Sequence, residues 1–249
     1  MIAAIIQARM GSTRLPNKVM EKAEGVPLLK YQVDRARKSK LLDKIIVATT
    51  DRSKDDIIVN FCKDNGIEYF RGSENDVLNR YYECAKKFKV DTIVRLTADC
   101  PLSDPEIIDE TIMLHRSSGA DFTANTVPPK TQKYPSGLDV EVFSFLVLER
   151  ANREVRDSHD REHVTFYFWK YNNGFKTAQL DSVKDYSKYR ITVDYPEDLE
   201  VVKFIIRELK NKNIFGSTEE MTEILDKNPE IKKKNLHYDF DSGWKQKKK

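Results

Sequence analysis

The sequence has few cysteines, no long apolar run and little net charge, and each shortage argues against a class of protein. Its three cysteines, Cys62, Cys84 and Cys100, are widely spaced and lack the pairing of a zinc site, so we expect reduced thiols. No apolar stretch approaches the ~18 residues of a membrane-spanning helix, and no leader pattern is present, which favours a cytoplasmic protein without membrane contact. A net charge of only +3 gives no indication of a nucleic-acid partner.

The remaining composition is that of a folded domain. Charged residues make up 33% and aromatic residues 10% of the 249 residues, which is typical of a globular protein. The length is ample for a sizeable core, and neither an internal repeat nor a low-complexity linker divides it. We therefore expect a single domain over residues 1–249 that ends in a polar tail at about 236–249.

Strand and helix patterns alternate over the first 118 residues, which predicts an α/β fold with a mostly parallel central sheet and helices on both faces. The predicted strands are residues 2–6, 44–50, 67–70, 91–96, 120–123, 138–143, 176–180 and 190–193. The predicted helices are residues 26–38, 53–64, 76–88, 145–153, 161–171 (beginning near Asp157), 196–210 and 218–226, with a further helix capped by Asp104.

The loop after the first strand is the most informative segment. It combines cations with small residues that offer amide and hydroxyl donors: Arg9, Gly11, Ser12, Thr13, Arg14 and Lys18. This combination suits a polyanion such as a triphosphate, whereas the alternative interpretation is a solvated basic turn. The Gly-Lys-Ser/Thr ending of a Walker A loop is missing, so the pattern argues against a P-loop NTPase.

Two aspartates follow predicted strands and so belong to the same edge of the sheet as this loop. Asp99 follows strand 91–96, and Asp194 lies between strand 190–193 and the helix that Pro196 begins. Carboxylates at strand ends commonly hold Mg²⁺, whose remaining ligands are water and substrate phosphates. For Asp194 the alternative is an ordinary N-cap of the following helix.

Three segments resemble one enzyme family. Residues 8–18 read Ala-Arg-x-Gly-Ser-Thr-Arg-Leu-Pro-x-Lys, residues 99–102 read Asp-Cys-Pro-Leu, and residues 193–200 read Val-Asp-Tyr-Pro-Glu-Asp-Leu-Glu. Over roughly residues 1–210 the chain resembles the cytidylyltransferases that make CMP-KDO and CMP-sialic acid, most closely their SpsF-like branch of spore coat polysaccharide biosynthesis. The resemblance implies a Rossmann-like, GT-A-like nucleotide-diphospho-sugar transferase fold and a homodimer.

The resemblance also implies roles for individual residues. Arg9, Lys18 and Asp99 would be catalytic, and Asp99 and Asp194 would bind Mg²⁺. The nucleotide would be bound by Ala8, Arg9, Gly11, Ser12, Thr13, Arg14, Lys18 and Arg71, although a surface turn is an equal interpretation for Arg71. An acceptor-side subregion at about 120–190 would contribute Asp139, Glu141, His159, Arg161 and His163, with helix capping as the alternative for the two histidines.

These expectations define a leading hypothesis and two rivals. The leading one is a Mg²⁺-dependent nucleotidyltransferase that joins CMP from CTP to an acidic sugar or a phosphorylated small molecule and releases pyrophosphate, in surface polysaccharide precursor biosynthesis. A glycosyltransferase would require an Asp-x-Asp pair after a central strand, whereas the Asp239-Phe240-Asp241 triplet lies in the polar tail. A non-catalytic nucleotide-binding protein of the same pathway is the other rival.

Overall fold

The computed structural model describes residues 1–129 and 131–239, and the central feature of this part of the chain is a seven-stranded sheet. The strands of the protein are β1 (Ile2–Gln7), β2 (Lys22–Ala23), β3 (Val26–Pro27), β4 (Lys44–Thr50), β5 (Glu68–Gly72), β6 (Thr92–Thr97), β7 (Phe122–Ala124), β8 (Glu141–Ser144) and β9 (Thr177–Gln179). The helices are α1 (Leu28–Ala36), α2 (Asp56–Asp64), α3 (Val77–Phe88), α4 (Pro105–Ser118), α5 (Phe145–Glu154), α6 (Ser158–His163), α7 (Phe166–Trp169), α8 (Pro196–Lys212), α9 (Thr218–Asp226) and α10 (Pro229–Lys232).

The sheet order is β5-β4-β1-β6-β8-β7-β9, and β8 is antiparallel to both of its neighbours. The predicted α/β fold with a mostly parallel sheet is confirmed. Strand β1 lies between β4 and β6, and Gln7 at its end pairs with Thr97 at the end of β6. The loops that follow these two strands therefore leave the sheet side by side, at the edge where open α/β sheets bind ligands.

Helices cover both faces of the sheet, and strand β1 shows why. Ala4 and Ile6 pack into one core with helices α1, α4, α8 and α9, whereas Ala3 and Ile5 pack into a second core with α3 and α5. Alternate residues of a strand point to opposite faces, so a fully apolar strand needs cover on both sides. The three cysteines are buried free thiols, as expected.

Three sequence predictions of local structure are wrong. Residues 26–27 do not open a helix but pair with β2 as strand β3, and α1 begins at Leu28. Residues 161–171 form two short helices, because Val164 has a φ of 62° and is fully buried in the second core. Residues 190–193 run extended but make only a single bridge, between Ser136 and Arg190, since the backbone amide of Val193 donates to the carbonyl of Asp99 instead.

The predicted polar tail is only partly described. Its basic run at residues 245–249 lies outside the described residues, whereas Tyr238 packs against Tyr195 at the start of α8. Among the residues that the structure describes, no helix is both long and apolar enough to cross a membrane.

Gly137 allows the loop before β8 to lie against the segment before Asp194. Its φ is +106°, and an added Cβ would lie 2.3 Å from the backbone nitrogen of Thr192. We expect Gly137→Ala to destabilise the protein by roughly 3 kcal/mol, through backbone strain and a backbone clash together. Urea unfolding measures the loss.

Gly25 provides the matched control for this substitution. Its φ is +81°, but an added Cβ meets nothing within 4 Å. Gly25→Ala should therefore cost only the backbone strain, about 1 kcal/mol. Equal losses in the two variants would contradict the close backbone approach at Gly137.

Candidate active site

The loop at residues 8–18 is folded onto itself and anchored to a neighbouring segment. The carbonyl of Met10 accepts hydrogen bonds from the amides of Ser12 and Asn17, at 3.0 and 3.1 Å. The amide of Met10 donates to the fully buried carboxylate of Asp55, at 2.7 Å. These bonds lead the chain back to the sheet, so that Lys18 is buried although it is charged.

Lys18 lies between the two aspartates that the sequence singled out. Its Nζ is 2.8 Å from Oδ1 of Asp194 and 3.2 Å from Oδ2 of Asp99. Arg14 adds a second cation, with Nη2 at 2.6 Å from Oδ1 of Asp194. The two acidic segments are also joined directly, because the carbonyl of Asp99 accepts the amide of Val193 at 2.8 Å.

The charges in this cluster stabilise each other. Burial alone would raise the pKa of the Asp99 carboxyl, but the Lys18 ammonium, together with hydrogen bonds from Thr97 and Lys18, outweighs burial and brings the pKa to about 2. Burial alone would lower the pKa of Lys18, but Asp99 and Asp194 raise it above its ordinary value. Asp99 and Lys18 are therefore both charged near neutral pH.

The donor set of this cluster fits Mg²⁺. Asp99 and Asp194 present carboxylate oxygens, the ligands that Mg²⁺ prefers, and they do so from separate segments at one sheet edge. Both contact the single ammonium of Lys18, so they are close enough together to share one cation.

The other predicted nucleotide-binding residues surround the cluster unevenly. Arg9 extends towards Glu162 of α6, with Nη2 3.8 Å from Oε1. Ala8 lies at the start of the loop, where it is buried and donates its amide to the carbonyl of Ala48 at 3.2 Å. Gly11 and Ser12 are half-buried, and the next residue, Thr13, is exposed.

Arg71 does not join the loop. Its guanidinium donates to the carbonyls of Thr50 and Arg52, at 2.9 and 2.8 Å, and pairs with Asp56 at 2.6 Å. These contacts fix it between β5 and the start of α2. Its role in nucleotide binding stays a prediction.

Among the residues predicted to bind the acceptor, Asp139 is connected to Asp99 through a thiol. The thiol of Cys100 contacts Oδ2 of Asp139 and Oδ1 of Asp99, both at 3.6 Å, and so separates the two carboxylates. Burial, reinforced by the charges of Asp99 and Glu141, raises the pKa of Asp139 despite its hydrogen bonds from Thr126 and Gly137.

Glu141 forms part of a buried network of polar side chains. It pairs with Arg95, whose Nη2 also donates to the side chain of Gln7 at 3.1 Å, and it accepts the hydroxyl of Thr165 at 2.9 Å. This network connects β1, β6 and β8 to the start of α7.

The two histidines and Arg161 lie on α6. The rings of His159 and His163 are 4.5 Å apart, and His163 stacks on Phe166 at 4.4 Å. Arg161 donates to Asp76, to the side chain of Asn152 and to two backbone carbonyls, which fastens α6 to neighbouring segments. Acceptor binding by these three residues stays a prediction.

The sequence interpretation did not single out Arg190, Asp198 or Asn235. Asp198 accepts hydrogen bonds from the amides of Asp194 and Tyr195 and from Nε and Nη2 of Arg190, and the side chain of Asn235 donates to it as well. Asp198 lies three positions after the N-cap Tyr195, as the second half of a capping box does, but a tyrosine does not mark an N-cap in a sequence.

The fold is that of nucleotide-transferring α/β enzymes. A family model described as Cytidylyltransferase matches residues 3–231, and the chain belongs to that family. The chain is 34% identical over 236 residues to the spore coat polysaccharide biosynthesis protein SpsF of Bacillus subtilis, covering 92% of this chain and 95% of SpsF.

Two further comparisons agree with this family. The solved structure of a cytidylyltransferase from Leptospira borgpetersenii superposes with a TM-score of 0.87 at 34% identity, covering 96% of this chain and 99% of that one. A 3-deoxy-manno-octulosonate cytidylyltransferase of Geobacter metallireducens is 33% identical over 111 residues, which is 45% of this chain and 43% of that protein.

The partly buried ring of His163 makes stability depend on pH. Burial, assisted by His159, Arg95 and Lys170, lowers the pKa of His163 from 6.5 to about 3. The unfolded chain therefore binds a proton on His163 between these values while the folded protein does not, so stability falls as the pH falls from 6.5 towards 3. The expected slope is measurable by urea unfolding between pH 7 and about pH 5, above the range in which Asp99 titrates in the unfolded chain or the folded protein.

His163→Phe tests this assignment, since phenylalanine keeps a flat ring against Phe166 but does not titrate. The variant should lose less stability than the wild type over the same pH interval. Equal slopes of stability against pH in the wild type and the variant would show that folding does not lower the pKa of His163.

Proposed function

We propose that the protein is a Mg²⁺-dependent cytidylyltransferase that transfers CMP from CTP to an acidic sugar or a phosphorylated small molecule and releases pyrophosphate. The observation that carries this proposal is the buried ammonium of Lys18 between Asp99 and Asp194. A buried lysine held by two carboxylates at a sheet edge supplies both a phosphate-binding cation and a metal-binding pair.

In the proposed reaction, an oxygen of the acceptor attacks the α-phosphorus of CTP in line. The new oxygen–phosphorus bond forms as the bond from the α-phosphorus to the oxygen shared with the β-phosphate breaks, and pyrophosphate leaves with that electron pair. A hydroxyl acceptor loses its proton to solvent, whereas a phosphate acceptor has none to lose. No protein side chain becomes covalently attached.

The cations of the loop at residues 8–18 stabilise the departing charge. Lys18 and Arg14 exchange their aspartate partners for phosphate oxygens of CTP, and Arg9 exchanges Glu162. The partially exposed side chain of Arg9 needs little rearrangement for this exchange. Because these donors are already assembled, little reorganisation is needed as charge develops on the pyrophosphate.

Asp99 and Asp194 would hold the Mg²⁺, which would neutralise charge on the α-phosphate. The aspartates are ready for this role, since the charge of Lys18 keeps Asp99 ionised. As Lys18 turns to the phosphates, the pair becomes available to the metal ion.

The acceptor is proposed to bind beside Asp139, Glu141, His159 and His163. The proposed pathway is the synthesis of a surface polysaccharide precursor, because SpsF carries that description and matches nearly the full chain. The homodimer and the cytoplasmic location belong to the same proposal.

Removing either partner of the central pair should abolish turnover while the protein stays folded. We expect Lys18→Met and Asp99→Asn to lower the rate of pyrophosphate release from CTP by at least about 100-fold, since the first removes a phosphate-binding cation and the second a metal-binding carboxylate. The assay screens acidic sugars and phosphorylated small molecules as acceptors, and circular dichroism checks the fold.

Lys22→Met is the matched control, because Lys22 lies four residues further on and is exposed. It should leave turnover within about twofold of the wild type, as expected for a surface site. Full activity of Lys18→Met or Asp99→Asn would contradict the proposed site. Consumption of a nucleotide sugar without pyrophosphate release would indicate a glycosyltransferase instead.

A further inference from the structure

One buried carboxylate, that of Asp198, fixes the segment that carries Asp194. Its side chain is 0% exposed and receives five hydrogen bonds. Two come from the guanidinium of Arg190, at 2.8 and 2.9 Å, and two from the amides of Asp194 and Tyr195, at 2.9 and 3.0 Å. The fifth comes from the side chain of Asn235, at 2.8 Å. So many donors leave the carboxylate little freedom, and it restrains the backbone of Asp194 in turn.

Asn235 belongs to a short segment that follows α10, which we name the C-terminal strap and define as residues 235–238. The family model ends at residue 231, so the strap lies beyond the matched part of the chain. Asn235 is only 1% exposed, and its side-chain amide also donates to the carbonyl of Arg190 at 3.1 Å. The strap is therefore built into the network around Asp198.

Tyr238 makes the second contact of the strap. Its ring lies 3.8 Å from the ring of Tyr195, with 4° between the planes, and its hydroxyl donates to Glu197 at 2.9 Å. Tyr195 directly follows Asp194, and the guanidinium of Arg14 lies 5.2 Å from the centre of its ring. The strap thus contacts Tyr195, which follows Asp194, as well as the carboxylate of Asp198.

Substrate binding makes these contacts important. In the free protein, Arg14 and Lys18 hold the carboxylate of Asp194 directly. If both cations turn to phosphates, as the proposed function requires, these two restraints disappear when Asp194 must present an oxygen to the metal ion. Two restraints then persist: the bond from the Asp194 amide to Asp198, and the ion pair of the Asp194 carboxylate with Arg190 at 3.5 Å. The strap supports both, because Asn235 donates to Asp198 and to the carbonyl of Arg190.

We propose that Asn235 and Tyr238 of the C-terminal strap are positioning residues for Asp194 and set the affinity of the site for its divalent cation when CTP is bound. This inference rests on the proposed function. It assigns to the strap a task in substrate and metal binding rather than in stability alone, because residues that orient a metal ligand commonly govern metal affinity.

The test is calorimetric titration of the full chain with Mn²⁺ at saturating CTP, and with CTP in the presence of EDTA. We expect Asn235→Ala and Tyr238→Ala each to weaken Mn²⁺ binding about tenfold, within the range found when partners of metal ligands are removed. CTP affinity in EDTA should change by less than about twofold, because the strap contacts Tyr195 and not the phosphate-binding cations themselves.

Two further variants separate positioning from general stability. Leu236→Ala changes a strap residue that is 43% exposed and should bind Mn²⁺ as the wild type does. Tyr238→Phe keeps the stacked ring and should restore most of the Mn²⁺ affinity that Tyr238→Ala loses.

The outcomes are distinguishable. Unchanged Mn²⁺ affinity in both alanine variants, or an equal weakening of CTP binding in EDTA, would overturn the inference while leaving the proposed function intact. A wild-type protein that binds no CTP with or without Mn²⁺ would contradict the proposed function, and the inference with it.

Discussion

The charge balance around Lys18 is the constraint on which the site depends. Two carboxylates at one sheet edge repel each other, and the buried ammonium between them removes that repulsion. The ammonium in turn tolerates burial only because both acids surround it. Each of the three charges therefore requires the others, and the site is assembled before any ligand arrives.

The topology of the sheet brings these groups together from distant parts of the sequence. Strand β1 delivers the loop with Lys18, β6 delivers Asp99, and the extended segment before α8 delivers Asp194. Parallel pairing of β1 with β6 places the first two side by side. The third is fixed by the bond from Val193 to Asp99 and by Asp198, so its position is set by loops and a helix start instead of the sheet.

Local sequence pattern predicted the parts of the structure that local physics decides. Apolar runs such as residues 2–6 identified the central strands, and the position after strand β6 identified Asp99, because strand period and strand-end position are readable in one dimension. Asp194 was found although the predicted strand before it is absent, because that segment still runs beside Asp99. The break at Val164 was not readable, since burial of that side chain in the second core overrides the helical pattern around it. Asn235 was missed because its partner Asp198 is 37 residues away, and a local sequence pattern does not show such a contact.

Thermal unfolding with nucleotides tests the central claim most directly, that Lys18 exchanges its aspartates for phosphates while the aspartates take a metal ion. The protein is heated with CTP, GTP, UTP, ATP or nucleotide sugars, each with and without Mg²⁺. A ligand that binds only the folded state stabilises it by RT ln(1 + [L]/Kd), about 2.7 kcal/mol at 100 times Kd. The account predicts stabilisation by CTP that Mg²⁺ strengthens. Stabilisation by nucleotide sugars alone, or by none of these ligands, would contradict it.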